Sequence, residues 1–141
     1  MDRREDAIFK SAFHHASGRF DKKLPGTFNT VGFLIRHIAD VELLFAKNVF
    51  GLTNVYVQGQ TVISKTDTGE WTDLPTLLDY QQYAFEKLRE SIRLQSEADW
   101  QQEVIVKEFG TKTKSEAFGR ITTHTAYHAG QMALALKYAA L

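Results

Sequence analysis

Two histidines near the end of the chain, His124 and His128, have the residue type and the spacing that metal binding requires. They lie in a stretch whose pattern predicts a helix. Residues four apart on an α-helix are about 40° apart around its axis and roughly 6 Å apart along it. Both imidazoles therefore face the same way and could hold one metal ion. The alternative is that the two histidines only pack inside the protein, and the pair alone does not decide between these interpretations.

A third histidine, His37, falls at the edge of the inner face of an earlier predicted helix, near Leu34 and Val41. If the two helices are neighbours, three imidazoles can reach one point. Three neutral imidazoles are a catalytic type of ligand set, because the fourth position stays available for water or substrate. The remaining two histidines, His14 and His15, are adjacent in sequence and point about 100° apart on a helix. They are interpreted as ordinary surface or helix-end residues.

Four segments with helical periodicity must position these side chains. The pattern predicts helices over about 6–17, 30–50, 75–94 and 113–138, the last one opened by a capping box at Thr113 and Glu116. The connections 51–73 and 95–112 are long. The first hints at a short extended pair within 54–63, and the second at a brief extended piece or turn around 104–106 and 109–111. Four helices with two long connections predict an all-α four-helix bundle with crossovers, as one domain over residues 1–141.

Polar residues near the histidines could support a metal site. Glu42 projects to the core side of the second helix and Asp40 nearer the wet side, which it shares with Arg36. Either carboxylate could accept a hydrogen bond from a metal-bound imidazole, although an ion pair elsewhere is an equal alternative for Glu42. Three residues on one stripe beside the histidine pair could line the approach, or serve as ordinary surface and packing residues: Arg120, Tyr127 and Gln131.

Composition excludes several classes of function. The 141 residues carry 17 basic and 17 acidic side chains, so the formal charge is zero and a nucleic-acid partner is disfavoured. There is no cysteine, which excludes disulfides, thiolate metal sites and a cysteine nucleophile. A signal-peptide pattern and a membrane-spanning apolar run are both missing, so a cytoplasmic location and no membrane partner are expected. The Glu-x-x-His pairs of di-iron bundles, the HExxH pattern, the P-loop and the serine nucleophile elbow do not occur.

Two motifs give the chain a family resemblance. Residues 34–42 read Leu-Ile-Arg-His-Ile-Ala-Asp-Val-Glu, and the last helix carries His124-x-x-x-His128-x-Gly130-Gln131. Phe109-Gly110, followed by Thr113 and Glu116, fits the same layout. From about residue 6 to residue 138 the sequence resembles the DinB-like/YfiT-like superfamily of small four-helix-bundle metalloproteins.

The resemblance implies that His37, His124 and His128 bind one divalent metal ion. Nickel or zinc is the first expectation, with manganese or iron as alternatives. Characterised relatives include transferases and isomerases that use low-molecular-weight thiols, so a small thiol is the implied partner. A bound metal could lower the pKa of such a thiol, or of water, and present the anion to an electrophile. Where many members have Arg after the last histidine, this chain has Ala129, which puts in doubt any role of that Arg in holding an anion.

Three hypotheses from different classes remain at this point. The chain is a metal-dependent transferase or hydrolase acting on a small molecule, a non-catalytic metal-binding stress-response protein, or a structural bundle whose histidines only pack. The second helix is apolar over more than one stripe, through residues such as Phe33, Ile35 and Leu44. Such breadth also predicts a homodimer.

Overall fold

The computed structural model describes residues 21–139. The predicted helix over 6–17, with His14 and His15, lies outside these residues. The described chain contains four α-helices and one β-hairpin: α1 (Val31–Leu44), α2 (Gln60–Ser64), α3 (Leu74–Arg93), β1 (Glu103–Val106), β2 (Gly110–Thr113) and α4 (Lys114–Tyr138). A π-helical turn, Phe45–Val49, continues α1, and a short 3-10 turn, Asp99–Gln101, precedes the hairpin.

Helix α1 lies at the centre of the described structure, between α3 and α4. Ten of its fourteen residues are buried, which explains its unusually apolar sequence. Thr30 caps its N-terminus by accepting a hydrogen bond from the amide of Phe33, and Asp67 accepts hydrogen bonds from the hydroxyl and amide of Thr30. Together, α1 and the π-helical turn cover the helix predicted over 30–50. The third predicted helix, over 75–94, corresponds to α3.

The buried clusters show how the long helices run. Val31 at the start of α1 packs with Leu77 near the start of α3 and with Ala135 near the end of α4. At the other end, the π-helical turn packs with Leu88 near the end of α3 and with Ala117 near the start of α4. Helices α1 and α3 are therefore parallel and α4 is antiparallel to both. The connection from α1 to α3 must return along the length of the helices.

The segment that leads into α4 agrees with the sequence prediction. The Thr113 hydroxyl accepts from the amide of Glu116, and the Glu116 carboxylate accepts from the amide of Thr113, so the predicted capping box is confirmed. Before it, β1 and β2 form an antiparallel hairpin in which Val104 pairs with Lys112. The brief extended piece expected in this connection is thus a two-stranded hairpin.

The prediction of a short extended pair within Asn54–Ile63 is wrong, because no strand forms there. Gly59 adopts a left-handed backbone conformation with φ of 65° and turns the chain into α2. The amide and hydroxyl of Thr61 donate to the buried carboxylate of Asp40, and Leu52 packs in the core. Tertiary hydrogen bonds thus override the β propensity of the valines and of Thr61 in this segment.

The described chain is mostly helical with little strand. The four-helix bundle itself stays a prediction, because the first of its expected helices lies outside residues 21–139. The single-domain organisation of residues 1–141 also stays a prediction. None of the helices within the described range is long and apolar enough to span a membrane.

Candidate metal centre

The three candidate histidines meet where the middle of α1 faces the middle of α4. One ring nitrogen from each of His37, His124 and His128 lies within 4.8 Å of the corresponding nitrogens of the other two. The Nε2 atoms of His37 and His124 are 3.2 Å apart. Two nitrogens bound to one tetrahedral zinc ion, with Zn–N distances of about 2.0 Å, are separated by roughly 3.3 Å. The same 3.2 Å also suits a hydrogen bond between two neutral imidazoles, which is the packing alternative.

Hydrogen bonds at the opposite ring nitrogens orient two of the three imidazoles. Nδ1 of His37 lies 3.2 Å from the hydroxyl of Thr61, and Nδ1 of His128 lies 2.6 Å from the side-chain oxygen of Gln131. Nε2 of His37 faces Nε2 of His124, and Nε2 is the nitrogen of His128 that its hydrogen bond to Gln131 leaves available for a metal ion. Nδ1 of His124 is buried without a hydrogen-bond partner among the described residues. Metal-binding histidines usually donate their second ring N–H to an oxygen, so two of the three sites fit this pattern.

Burial keeps two of these imidazoles neutral. It lowers the pKa of His37 from 6.5 to about 4, with a further decrease from His128 that outweighs the attraction of Asp40. Burial also lowers the pKa of His124 to about 4, again with repulsion from His128 and smaller effects of His37 and Arg120. A metal ion binds the neutral form of imidazole, so both rings are ready to coordinate at neutral pH.

The prediction that Asp40 and Arg36 lie on the solvent-exposed side of this helix is wrong. Asp40 is fully buried, and Arg36 stacks on the ring of Tyr80, 3.8 Å from the ring centroid. The Asp40 carboxylate accepts four hydrogen bonds, from Arg36, Tyr80 and both donors of Thr61. Helices α3 and α2 cover this side of α1 with polar partners, so it is not exposed to solvent as the position of Asp40 on α1 suggested. Asp40 reaches His37 through the hydroxyl of Thr61 rather than directly.

Glu42 lies in the core, as its position on α1 predicts, but it makes no hydrogen bond to any of the three histidines. It is 4% exposed, and its Oε1 accepts from the hydroxyl of Thr125 at 3.1 Å. Its other oxygen has no partner among residues 21–139. Burial raises the pKa of Glu42 to about 7, against the opposing effect of the Thr125 hydrogen bond.

An open cleft of about 490 Å³ borders two of the three histidines, His37 and His124. Its walls come from α1, the π-helical turn, α2, the hairpin and α4: His37, Val41, Phe45, Val62, Glu108, Arg120, Thr123, His124 and Tyr127. Arg120 and Tyr127 thus line the approach. Gln131, the third residue expected there, instead accepts from His128 and donates to the hydroxyl of Tyr127. A mixed wall of apolar side chains with a few polar groups suits a small molecule.

Sequence reasoning missed Thr61 and Tyr80 as parts of this site. Thr61 lies 24 residues from His37 in a connection without helical periodicity, and Tyr80 lies 40 residues from Asp40 on a different helix. No local signal in a single sequence marks such long-range hydrogen bonds.

The described chain is mostly helical, and two of its helices bring three imidazoles together beside a cleft. These features define a small helical protein with a candidate three-histidine metal centre. The sequence profile described as the DinB superfamily matches residues 11–132. The chain therefore belongs to the DinB superfamily, as its two histidine motifs predict.

The fold also has a solved counterpart. The chain superposes with a TM-score of 0.58 on a crystal structure of a mycothiol-dependent maleylpyruvate isomerase in which a histidine is replaced by alanine. The two sequences are 20% identical over a match that covers 89% of this chain and 58% of that one. This likeness shows a shared fold, and the chain spans little more than half the length of that enzyme. No curated protein sequence matches the chain.

Proposed function

We propose that the protein binds one divalent transition-metal ion through His37, His124 and His128 and acts on a small molecule at that site. The observation that carries the proposal is the convergence of three imidazole nitrogens, within 4.8 Å of one another, beside an open cleft. Within residues 21–139 no fourth histidine or carboxylate joins this cluster. A three-ligand set leaves a coordination position for water or substrate.

A bound divalent ion would lower the pKa of a thiol or of a water molecule in the cleft. The reaction class we propose is transfer of a small thiol to an electrophile, or hydrolysis by water. The thiol alternative is supported by the structural neighbour, which is mycothiol-dependent. Nickel and zinc are the first candidates for the ion, with manganese and iron as alternatives, because three nitrogen ligands suit all four.

The cleft residues would hold the organic part of the substrate. The guanidinium of Arg120 stacks on the ring of Phe109, 5.1 Å from the ring centroid, at the hairpin side of the cleft. Among the described residues no carboxylate lies within salt-bridge distance of Arg120, so its charge can attract an anionic substrate. Tyr127 is 65% exposed and lines the same cleft. These groups favour an enzyme over a metal-binding stress-response protein without turnover, which needs no substrate cleft.

Elemental analysis of purified protein tests the metal site. Wild type, His124→Ala and the control His14→Ala, which removes a histidine outside the proposed ligand set, are each incubated with nickel or zinc and desalted. We expect about one metal ion per chain in wild type and in the control, and a large loss in His124→Ala. No bound metal in any of the three would reduce the histidines to packing residues. A loaded protein that turns over no thiol, mycothiol included, and hydrolyses no ester would favour the non-catalytic alternative.

A further inference from the structure

The hydroxyl of Thr61 stands between the buried carboxylate of Asp40 and the imidazole of His37. We propose that Thr61 is a positioning residue that fixes His37 in the tautomer with the proton on Nδ1. Nε2 of His37 then always presents a lone pair to the point that the three histidines share. The role of this tautomer in metal binding rests on the proposed function, whereas the tautomer itself is a property of the metal-free protein.

The Thr61 hydroxyl has a single hydrogen, and it points to Asp40. Oδ2 of Asp40 accepts from this hydroxyl at 2.8 Å and from the amide of Thr61 at 3.1 Å. Oδ1 accepts from the hydroxyl of Tyr80 at 2.8 Å and from Nε of Arg36 at 3.1 Å. Four donors surround a carboxylate that is fully buried, and the charge of Arg36 compensates its own. An ionised carboxylate only accepts, so each of its partners must donate.

The oxygen of the same hydroxyl also contacts the imidazole of His37. Because the hydrogen of Thr61 points to Asp40, its oxygen can only accept from Nδ1 of His37, 3.2 Å away. If Thr61 donated to His37 instead, its oxygen would face Oδ2 of Asp40 at 2.8 Å with no hydrogen between them. Two oxygen lone pairs at that distance repel each other inside a protein. The neutral ring of His37 must therefore carry its proton on Nδ1.

Among the described residues, Thr61 is the only hydrogen-bond partner of Nδ1 of His37. Thr61 is fully buried in α2, a helix of five residues that begins directly after the left-handed Gly59. His128 is oriented separately by Gln131, and His124 has no partner at Nδ1 among the described residues. The effect of Thr61 is thus confined to one ligand of the three.

Nitrogen-15 NMR of the imidazoles in metal-free protein tests the assignment directly, at pH 8, far above the lowered pKa of His37. Wild type is compared with Thr61→Val, which keeps the shape and removes the hydroxyl, and with Thr61→Ser, which restores it. The matched control is Thr125→Val, because the Thr125 hydroxyl also donates to a buried carboxylate, that of Glu42, but forms no hydrogen bond to an imidazole.

We expect His37 in wild type and in Thr61→Ser to show the proton on Nδ1. In Thr61→Val it should shift to a mixture of tautomers or to Nε2, while Thr125→Val leaves it unchanged. The affinity for nickel or zinc should fall about 10- to 100-fold in Thr61→Val, the usual effect of removing an outer partner of a metal-binding histidine, and recover in Thr61→Ser.

The proton on Nε2 of His37 in wild type would overturn the proposal even if Thr61→Val failed to fold. An unchanged tautomer in folded Thr61→Val would also overturn it, as would an equal change in Thr125→Val. These outcomes are separate from the fate of the proposed function. A wild-type protein that binds no metal would contradict the proposed function and leave the tautomer assignment standing. Tight metal binding, together with the proton on Nε2 of His37 in metal-free protein, would support the proposed metal site and contradict the tautomer assignment.

Discussion

At the scale of single residues, burial of the Glu42 carboxyl group in the core lowers the stability of the fold when this group is ionised. Its pKa is raised from 4.5 to about 7, so between these values the folded protein holds a proton that the unfolded chain releases. Stability therefore falls as the pH rises from about 4.5 to about 7. We expect Glu42→Gln to remove this decrease, and to raise the free energy of unfolding at pH 8 by about 1–2 kcal/mol. Urea unfolding of both proteins at pH 5 and pH 8 measures the difference.

The control for this prediction is Glu97→Gln, which changes an exposed glutamate in the turn after α3. It should leave the stability almost unchanged at both pH values. An equal gain from Glu42→Gln at pH 5 and pH 8 would mean that the carboxylate is not the source of the pH dependence.

The histidines impose the opposite pH dependence on the metal-free protein. The pKa values of His37 and His124 are lowered to about 4 in the fold, whereas unfolded histidine titrates near 6.5. Between these values the unfolded chain binds more protons, so stability is lost as the pH falls from about 6.5 to about 4. We expect His124→Gln to take up about one proton fewer than wild type on unfolding at pH 5. The pH dependence of the urea midpoint reports this number, and identical slopes for the two proteins would contradict the assignment.

At the scale of elements, α2 depends on one glycine. Gly59 has φ of 65°, and a Cβ built there would make only an ordinary contact, 3.7 Å from Cδ1 of Leu44. The cost of Gly59→Ala is therefore that of the left-handed backbone, about 1–2 kcal/mol. Gly59→Asn should cost less, because asparagine tolerates this conformation. Chemical denaturation of the two variants checks the order, and equal losses would point to a side-chain clash instead.

Elements also show what a single sequence reveals and what it does not. Periodicity and the capping box at Thr113 sufficed for three long helices, because these signals are local. His124 and His128 were found in the same way, from their spacing on one helix. Thr61 was missed because its importance comes from Asp40, which α3 and α2 cover although its helical position suggested a wet face. Specific hydrogen bonds between distant elements leave no periodic signal in the sequence.

At the scale of the whole molecule, the broad apolar surface of α1 is covered inside the chain. Val31, Ala39 and Leu43 pack on α3, α4 and the segment after α1, so the breadth of this helix no longer requires a second subunit. The homodimer stays a prediction. Light scattering at micromolar concentration checks it, and a monomer would contradict it.

The candidate metal centre joins parts of the chain that are far apart in sequence. His37 and His124 are separated by 87 residues and lie half-buried on antiparallel helices, at the wall of the cleft. A metal ion that binds them binds only the folded chain, so it must stabilise the whole structure. At a free metal concentration 100 times the Kd, the added free energy of unfolding is about 2.7 kcal/mol. We expect nickel or zinc to raise the Tm of wild type and to leave His124→Gln unchanged.

Hydrogen exchange shows whether this stabilisation acts through the proposed ligands. The strongest new protection should lie around His37 in α1 and around His124 and His128 in α4, since the ion joins these two helices directly. The exposed tip of the hairpin, near Lys107, contains no proposed ligand and should change little. A site built from the three histidines cannot lose one of them without effect. A metal that raises the Tm equally in wild type and in His124→Gln therefore binds elsewhere. The same conclusion follows if the hairpin gains the strongest protection.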